Sequence, residues 1–295
     1  PSDMIEEPRL PGFAVDLSDR RLLSWRFLGA VLAVELLLTV FINLILFRSA
    51  WVSAVLFDPV RGATDGLVTA TLFVNLLNFA VVVVGLLLVA GGLHRRDLGL
   101  VWSNLPTAVA VTVGLWMALQ AAAAAVSLAR TGTVGMNPGW SQAGIGATLG
   151  LLVAQLFGNA LYEEILFRAV LLDQMVLKLR DRRWGFTSAL VGSQLIFALL
   201  HVPNRLLRGY TLTGMVDGLG LLFLMGLLFA LVYHRTGNLL IAVGVHALNN
   251  APTMLVATRL SGQFLVTLLL VGLVIAWPVL RRHLGRGTPN PSTSQ

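Results

Sequence analysis

Eight stretches of this chain are long and apolar enough to cross a bilayer, and that pattern decides most of what the chain can fold into. A helix needs about 20 apolar residues to cross roughly 30 Å of hydrocarbon. Runs that meet this requirement fall at residues 27–47, 67–93, 105–129, 145–172, 186–202, 215–233, 238–256 and 263–280. The expected fold is all-α, a polytopic membrane protein of about eight transmembrane helices. The fourth run is too long for one simple crossing. The first follows a mixed acidic and basic stretch without a small-residue cleavage site, so it reads as an uncleaved span. Segments 13–27 and 171–186 mix basic residues with Leu, Trp and Phe at helical spacing, which predicts two interfacial segments. The expected organisation is an N-terminal cytoplasmic or interfacial segment (1–26), a transmembrane domain (27–280) and a disordered tail (281–295).

Charge supports the membrane reading. Only 12% of residues are charged and 56% are hydrophobic, too little charge to solvate the outside of a soluble 295-residue fold. The absence of cysteine excludes disulfides, thiolate ligands and thiol nucleophiles, leaving oxygen and imidazole nitrogen for any chemistry. Lys and Arg outside the runs divide 14 to 6 between alternate segments. The positive-inside rule then predicts both termini in the cytoplasm. It also accounts for the net charge of +7 without a nucleic-acid partner.

The remaining basic residue, Arg168, lies inside the fourth run. Ionisable groups inside a span cost about 2.5–3.5 kcal/mol each and are functional candidates for that reason. Here they concentrate. The fourth run contains Asn159, Tyr162, Glu163, Glu164 and Arg168, the fifth ends in Gln194, Phe197 and His201, and the seventh contains His246, Asn249 and Asn250. Glu35, Asn43, Asn75, Asn78, Gln120 and Asp217 are scattered elsewhere.

Glu163 and Glu164 project about 100° apart on a helix and should have different tasks. Arg168 follows Glu164 by four residues, the spacing for an ion pair on one face, which leaves Glu163 as the free carboxylate. The assignment is reversible, because the long Arg168 side chain reaches either. A buried polar clamp without chemistry is the competing explanation for these three. Measured from the cytoplasmic ends of the runs, Glu163 and His246 lie roughly 12 Å deep, and His201 roughly 22 Å. Entry of the fifth run near Gly192 would bring His201 to about 14 Å and allow the three to converge.

A carboxylate and an imidazole around one water form a general base, and a second imidazole with a carboxamide can donate to an oxyanion. That set suffices for amide hydrolysis. The same Glu163, His201 and His246 could instead form a His₂Glu zinc site, although no H-E-x-x-H is present.

At these residues the chain resembles a known family. Glu163-Glu164 and Arg168 match EExxxR, Phe197 and His201 match FxxxH, and His246 and Asn250 match HxxxN. In this order, inside membrane spans, the three motifs resemble the CPBP intramembrane proteases, which include the type II CAAX prenyl endopeptidases. The similarity covers about residues 144–250. It implies that Glu163 and His201 activate water, that His246 and Asn250 form the oxyanion hole, and that Glu164, Arg168 and Phe197 support them. It implies a membrane-associated or prenylated peptide substrate, no required cofactor, and zinc as the alternative. Asn249, Tyr162 and Asn159 are further candidates around the site. The expected setting is a prokaryotic inner membrane, with the site toward the cytoplasmic half. The oligomeric state stays open.

Two other functions compete: a non-catalytic membrane immunity or binding protein, and an ion-coupled transporter using the buried groups as a proton relay. Gly146/Gly150 and Gly214/Gly218 stand at GxxxG spacing and predict close helix packing. Asp217, between the second pair, would line a water path or sit at the interface.

Overall fold

The computed structural model describes residues 14–284. Seven of its helices are long and apolar enough to cross a membrane: α1 (Trp25–Leu46), α2 (Ala70–Ala90), α3 (Trp102–Thr131), α4 (Ile145–Leu179), α5 (Gly185–Leu207), α6 (Leu212–Thr236) and, after the short α7 (Leu239–Asn250), α8 (Gly262–Arg282). The chain is an all-α polytopic membrane protein. The last helix continues to Leu284, so the expected tail starts later than residue 281, and its remaining residues lie outside those described.

The seventh expected span is not a full transmembrane helix. Its 12 residues reach about 18 Å, well short of the hydrocarbon thickness. Its first two turns are apolar on every side, and Leu239 through Asn249 are buried except Leu240, because α3, α4, α6 and α8 surround it. At its start, Asn238 Nδ2 donates to the Asn104 carbonyl at the head of α3 (2.9 Å). Beyond Asn250 the chain is irregular and runs along α3 to meet the loop after it. There Asn137 N–H donates to Leu255 O (2.8 Å) and Ala257 N–H to Gly135 O (2.9 Å). Half a helix and an extended segment together therefore follow α3 from end to end. The bare backbone of such a segment is tolerable only inside protein. Gln120, Trp116 and Asn137 supply the side-chain partners: Gln120 accepts from Leu255 N–H (2.8 Å), and Trp116 Nε1 donates to Thr253 Oγ1 (3.0 Å). Asn137 donates to Met254 O (3.0 Å).

A tight turn feeds α7. Gly237 ends α6 with φ +69, a left-handed conformation that favours glycine, and Asn238 then caps α7 by accepting from Leu240 N–H (3.0 Å).

The two interfacial expectations need correction. Residues 171–186 are not a separate helix: α4 continues unbroken to Leu179, because Leu171 and Leu172 face the core rather than lipid. Residues 14–24 are irregular and strap one end of the bundle. Ala14 N–H donates to His234 O (2.8 Å), Arg21 N–H to Asp97 (3.1 Å), and Gln174 bonds both Arg21 O (2.7 Å) and Leu23 N–H (2.8 Å). Phe13 lies outside the described residues. This strap end also gathers the 91–104 loop and the α4–α5 turn, hence Arg20, Arg21, Arg95, Arg96, Arg180, Arg182 and Arg183. At the opposite end, residues 50–63 form helical turns that the apolar pattern did not predict.

The glycine pairs behave differently from each other. Gly146 and Gly150 do mediate a close approach, but of the 65–67 loop backbone rather than of a helix: a Cβ at either would meet Asp65 O or Gly66 O. Gly214 and Gly218 have only Thr211, Tyr210 and the Arg205 guanidinium near them, and Asp217 is exposed. The tight helix contact is at Gly244, where a Cβ would strike Thr112 on α3. Gly244→Ala is expected to cost about 1–3 kcal/mol through overpacking, whereas Gly272→Ala, with open space around it, should be neutral or slightly stabilising. Thermal unfolding of the two variants in detergent checks this contrast.

Candidate active site

Around the acidic pair, α4 departs from regular α-helix. Gln155–Asn159 and Ile165–Leu172 are π-helical, and the single α-helical stretch Ala160–Glu164 lies between them. The same i→i+5 pattern occurs at Ile42–Leu46, Ser53–Phe57 and Phe79–Ala90, so it does not by itself mark a site. On α4 the two segments surround the turn that carries Glu163 and Glu164.

Glu164 is completely buried. Its Oε1 lies 3.2 Å from Arg168 Nη1 and 2.7 Å from His246 Nδ1. Arg168 is equally buried, with its guanidinium 4.6 Å from the Phe197 ring centre and 5.7 Å from that of Phe229. Its Nη2 points to the Gly226 carbonyl (3.5 Å), where the missing side chain lets α6 approach α5. Phe229 also stacks on the His246 ring at 4.3 Å. Two aromatic faces and a carboxylate thus hold the guanidinium, a combination that makes burial of the charge tolerable.

Glu163 faces two imidazoles. Its Oε1 is 3.8 Å from His201 Nε2 and its Oε2 is 3.6 Å from His246 Nε2. The far nitrogen of each ring is anchored. His201 Nδ1 lies 2.9 Å from Phe197 O, an atom that can only accept, so Nδ1 carries the proton and neutral His201 presents a lone pair at Nε2. His246 Nδ1 donates likewise to the Glu164 carboxylate. His201 occupies the break in α5, where the ladder stops at Leu199 and restarts at Val202 with Pro203 in the first turn. Despite its greater expected depth, His201 stands at the level of Glu163, 3.8 Å from it, and Gly192 lies against the Met175 side chain of α4.

The structure therefore gathers Glu163, Glu164, Arg168, Phe197, His201 and His246. Phe197 does more than pack, since its carbonyl orients His201 while its ring covers Arg168. Asn250, one turn beyond His246 on α7, donates to Gln155 Oε1 (2.9 Å) rather than touching Glu163. Asn159 also donates to Gln155 (3.3 Å). Asn249 points away, toward Gln263 O and Thr267 of α8. Tyr162 donates a short hydrogen bond to Glu35 of α1, which in turn accepts from Thr39.

Gln155 and Glu35 are the participants that inspection of the spans missed or left unplaced. A signal for both was present: Gln155, Asn159 and Glu163 recur every four residues on α4, as do Glu35, Thr39 and Asn43 on α1. A four-residue polar stripe in an apolar span marks a face turned from lipid.

The fold and this centre define an integral membrane protein with carboxylates and imidazoles gathered within its helices. Residues 145–252 match the family model described as type II CAAX prenyl endopeptidase Rce1-like, and over those residues the chain carries a domain of that family. The family is one of CAAX-type intramembrane endopeptidases. No curated protein and no solved structure matches the chain.

Arg168→Met alone would leave Glu164 buried without its guanidinium and is expected to cost about 3–5 kcal/mol. Adding Glu164→Gln should recover a large part of that loss, a non-additivity that thermal unfolding in detergent would measure.

Proposed function

We propose that this chain is an intramembrane endopeptidase that hydrolyses a peptide bond of a membrane-associated substrate, using water activated by Glu163 and His201. The observation that carries the reading is Glu163 set 3.8 Å and 3.6 Å from two Nε2 atoms whose rings are each anchored through Nδ1. Neither gap is a good hydrogen bond. A water about 2.8 Å from both Glu163 Oε1 and His201 Nε2 forms a triangle on the 3.8 Å base. Both of those atoms accept, so together they take the water's two hydrogens and aim its lone pair at the carbonyl carbon.

In the proposed reaction the water oxygen bonds to that carbon while its proton passes to Glu163. The carbonyl oxygen becomes an oxyanion, and His246 Nε2 and Asn250 Nδ2 are the donors on the other side. His246 already gives its Nδ1 proton to Glu164, so it donates from Nε2 only as the imidazolium. Placed between two carboxylates, with Arg168 as the other cation, that charge leaves the cluster neutral. On collapse the C–N bond breaks and the leaving nitrogen takes the proton from Glu163. Gln155 orients the Asn250 amide. Glu164 and Arg168 hold His246 in place.

Zinc is the second reading, because anchoring of both Nδ1 atoms is also how metal-binding imidazoles are held. Glu163, His201 and His246 would be its ligands, and the ion would polarise the carbonyl and acidify a bound water. The donor types fit, but Glu163 turns one oxygen to each ring, and among the described residues no three His, Asp or Glu are placed so that they could hold one ion. Stoichiometric zinc in purified protein, with activity lost to chelators, would establish this reading in place of the water mechanism.

The basic strap end marks the cytoplasmic side of a prokaryotic inner membrane in this reading. Glu163→Ala and His201→Ala are each expected to lower cleavage by about 10²–10⁴-fold, and Asn250→Ala by about 10²–10³-fold, with the folded yield in detergent preserved. Comparing membrane-protein termini between a strain lacking the protein and its parent would supply the substrate for that assay. Undiminished cleavage by the first two variants would end the mechanism, and protection or binding that survives them would favour a non-catalytic partner.

A further inference from the structure

We propose that the cavity between the ends of α1 and α5 binds the phosphate of an anionic phospholipid from the surrounding bilayer. The site is separate from the Glu163 centre and stands whether or not the chain cleaves peptides.

The cavity has a volume of about 330 Å³ and is lined by Asn43, Phe47, Arg48, Thr71, Leu207 and Arg208. Arg48 lies just past α1 and Arg208 just past α5, at the end of the bundle opposite the strap. Both are exposed, so the cavity is open to its surroundings. The Arg48 guanidinium is fixed there, because its Nη2 donates to the carbonyl of Leu207, the residue before Arg208 (3.0 Å). Two cations therefore share one cavity. Among the described residues no carboxylate forms an ion pair with either of them. Arg205 is occupied elsewhere: its Nη1 donates to the Tyr210 hydroxyl (2.9 Å), and its guanidinium lies 4.9 Å from that ring centre. Like charges drawn together at the edge of apolar spans repel each other unless an anion lies between them. The cytoplasmic excess of basic residues does not account for this pair, since the 14 to 6 division puts that excess at the strap end.

The neutral lining adds donors. Asn43 gives one amide hydrogen to Thr39 O (2.8 Å) and accepts from Asn204 Nδ2 (2.7 Å), which leaves its second amide hydrogen uncommitted. Thr71 brings a hydroxyl from the first turn of α2, where the helix dipole favours negative charge. A phosphate accepts several hydrogen bonds at once and suits the planar fork of a guanidinium.

The apolar surroundings choose the lipid over free phosphate. Phe47 and Leu207 line the same cavity, and Leu44, Ile45 and Leu206, within a turn of it on α1 and α5, are exposed. A free phosphate gains nothing from these side chains. A lipid lays its acyl chains along them while its headgroup meets the arginines at the level where the spans end, as in other basic pockets between membrane helices. At about 30 Å³ per water the cavity has room for roughly ten waters, enough for a phosphate with its glycerol.

Native mass spectrometry of the full-length protein in non-ionic detergent, titrated with phosphatidylglycerol or with phosphatidylcholine, tests the proposal. The expected result is one phosphatidylglycerol held more tightly than any later one and more tightly than phosphatidylcholine. Arg48→Gln and Arg208→Gln should each weaken that first binding about tenfold, and the double variant more. Arg61→Gln removes a cation of the same end that does not line the cavity, and should leave the binding unchanged. Unchanged binding in the double variant overturns the proposal, as does an equal loss in Arg61→Gln, which would reduce the effect to overall charge. Equal affinity for phosphatidylcholine overturns it as well, since two guanidinium groups call for net negative charge. Inorganic phosphate bound as tightly as phosphatidylglycerol would make the cavity a free-anion site and likewise overturn it. Arg208 is exposed and its side chain has no partner among the described residues, so Arg208→Gln keeps the test open should Arg48→Gln fail to fold.

Discussion

The Glu164–Arg168 pair is the constraint on which the rest of the centre depends. A carboxylate without exposure inside a membrane protein persists only with a counter-charge and hydrogen bonds. Arg168 supplies the charge from one turn away, with its guanidinium 4.6 Å from the Phe197 ring centre and 5.7 Å from that of Phe229. Once Glu164 is fixed, its oxygen dictates the tautomer and angle of His246. His246 in turn fixes which edge of the imidazole meets Glu163. Glu164 and Arg168 thus begin a chain of positional consequences running from α4 to α7.

The shortness of α7 follows from the same need. Ending at Asn250 puts a carboxamide at the level where Gln155 can hold it, and leaves the continuation to be satisfied by Gln120, Asn137 and Trp140. The helix is enclosed by four others, which is what makes an interrupted crossing affordable in lipid.

Much of the fold was legible in the run lengths, because hydrocarbon thickness imposes a nearly fixed ruler on any crossing helix. The ruler failed where enclosure by protein replaced contact with lipid. Residues 238–256 read as a run of spanning length, yet being surrounded rather than lipid-facing removes the length requirement. Leu171 and Leu172 read as interfacial beside the basic residues that follow, and proved to be core. For the site, Glu163, Glu164, Arg168, His201 and His246 were conspicuous because charge and imidazole are costly in a span. Gln155 and Thr39 were not conspicuous, and Asn43 stood out without a place, since one amide or hydroxyl per turn costs too little to mark a site.

By itself the sequence determined that this chain lives in a membrane, which of its polar residues are too expensive to be accidental, and that Arg168 can neutralise one of two adjacent carboxylates. Those are statements about transfer energies and helical spacing, both local. The tertiary structure alone decided that Glu164 is the partner Arg168 takes and that His201, at the break in its helix, reaches the level of Glu163. Each of these depends on how far separate helices slide past one another. That displacement is set by packing at contacts such as Gly226 on Gln194 and Gly244 on Thr112, and no periodicity within a single helix encodes it.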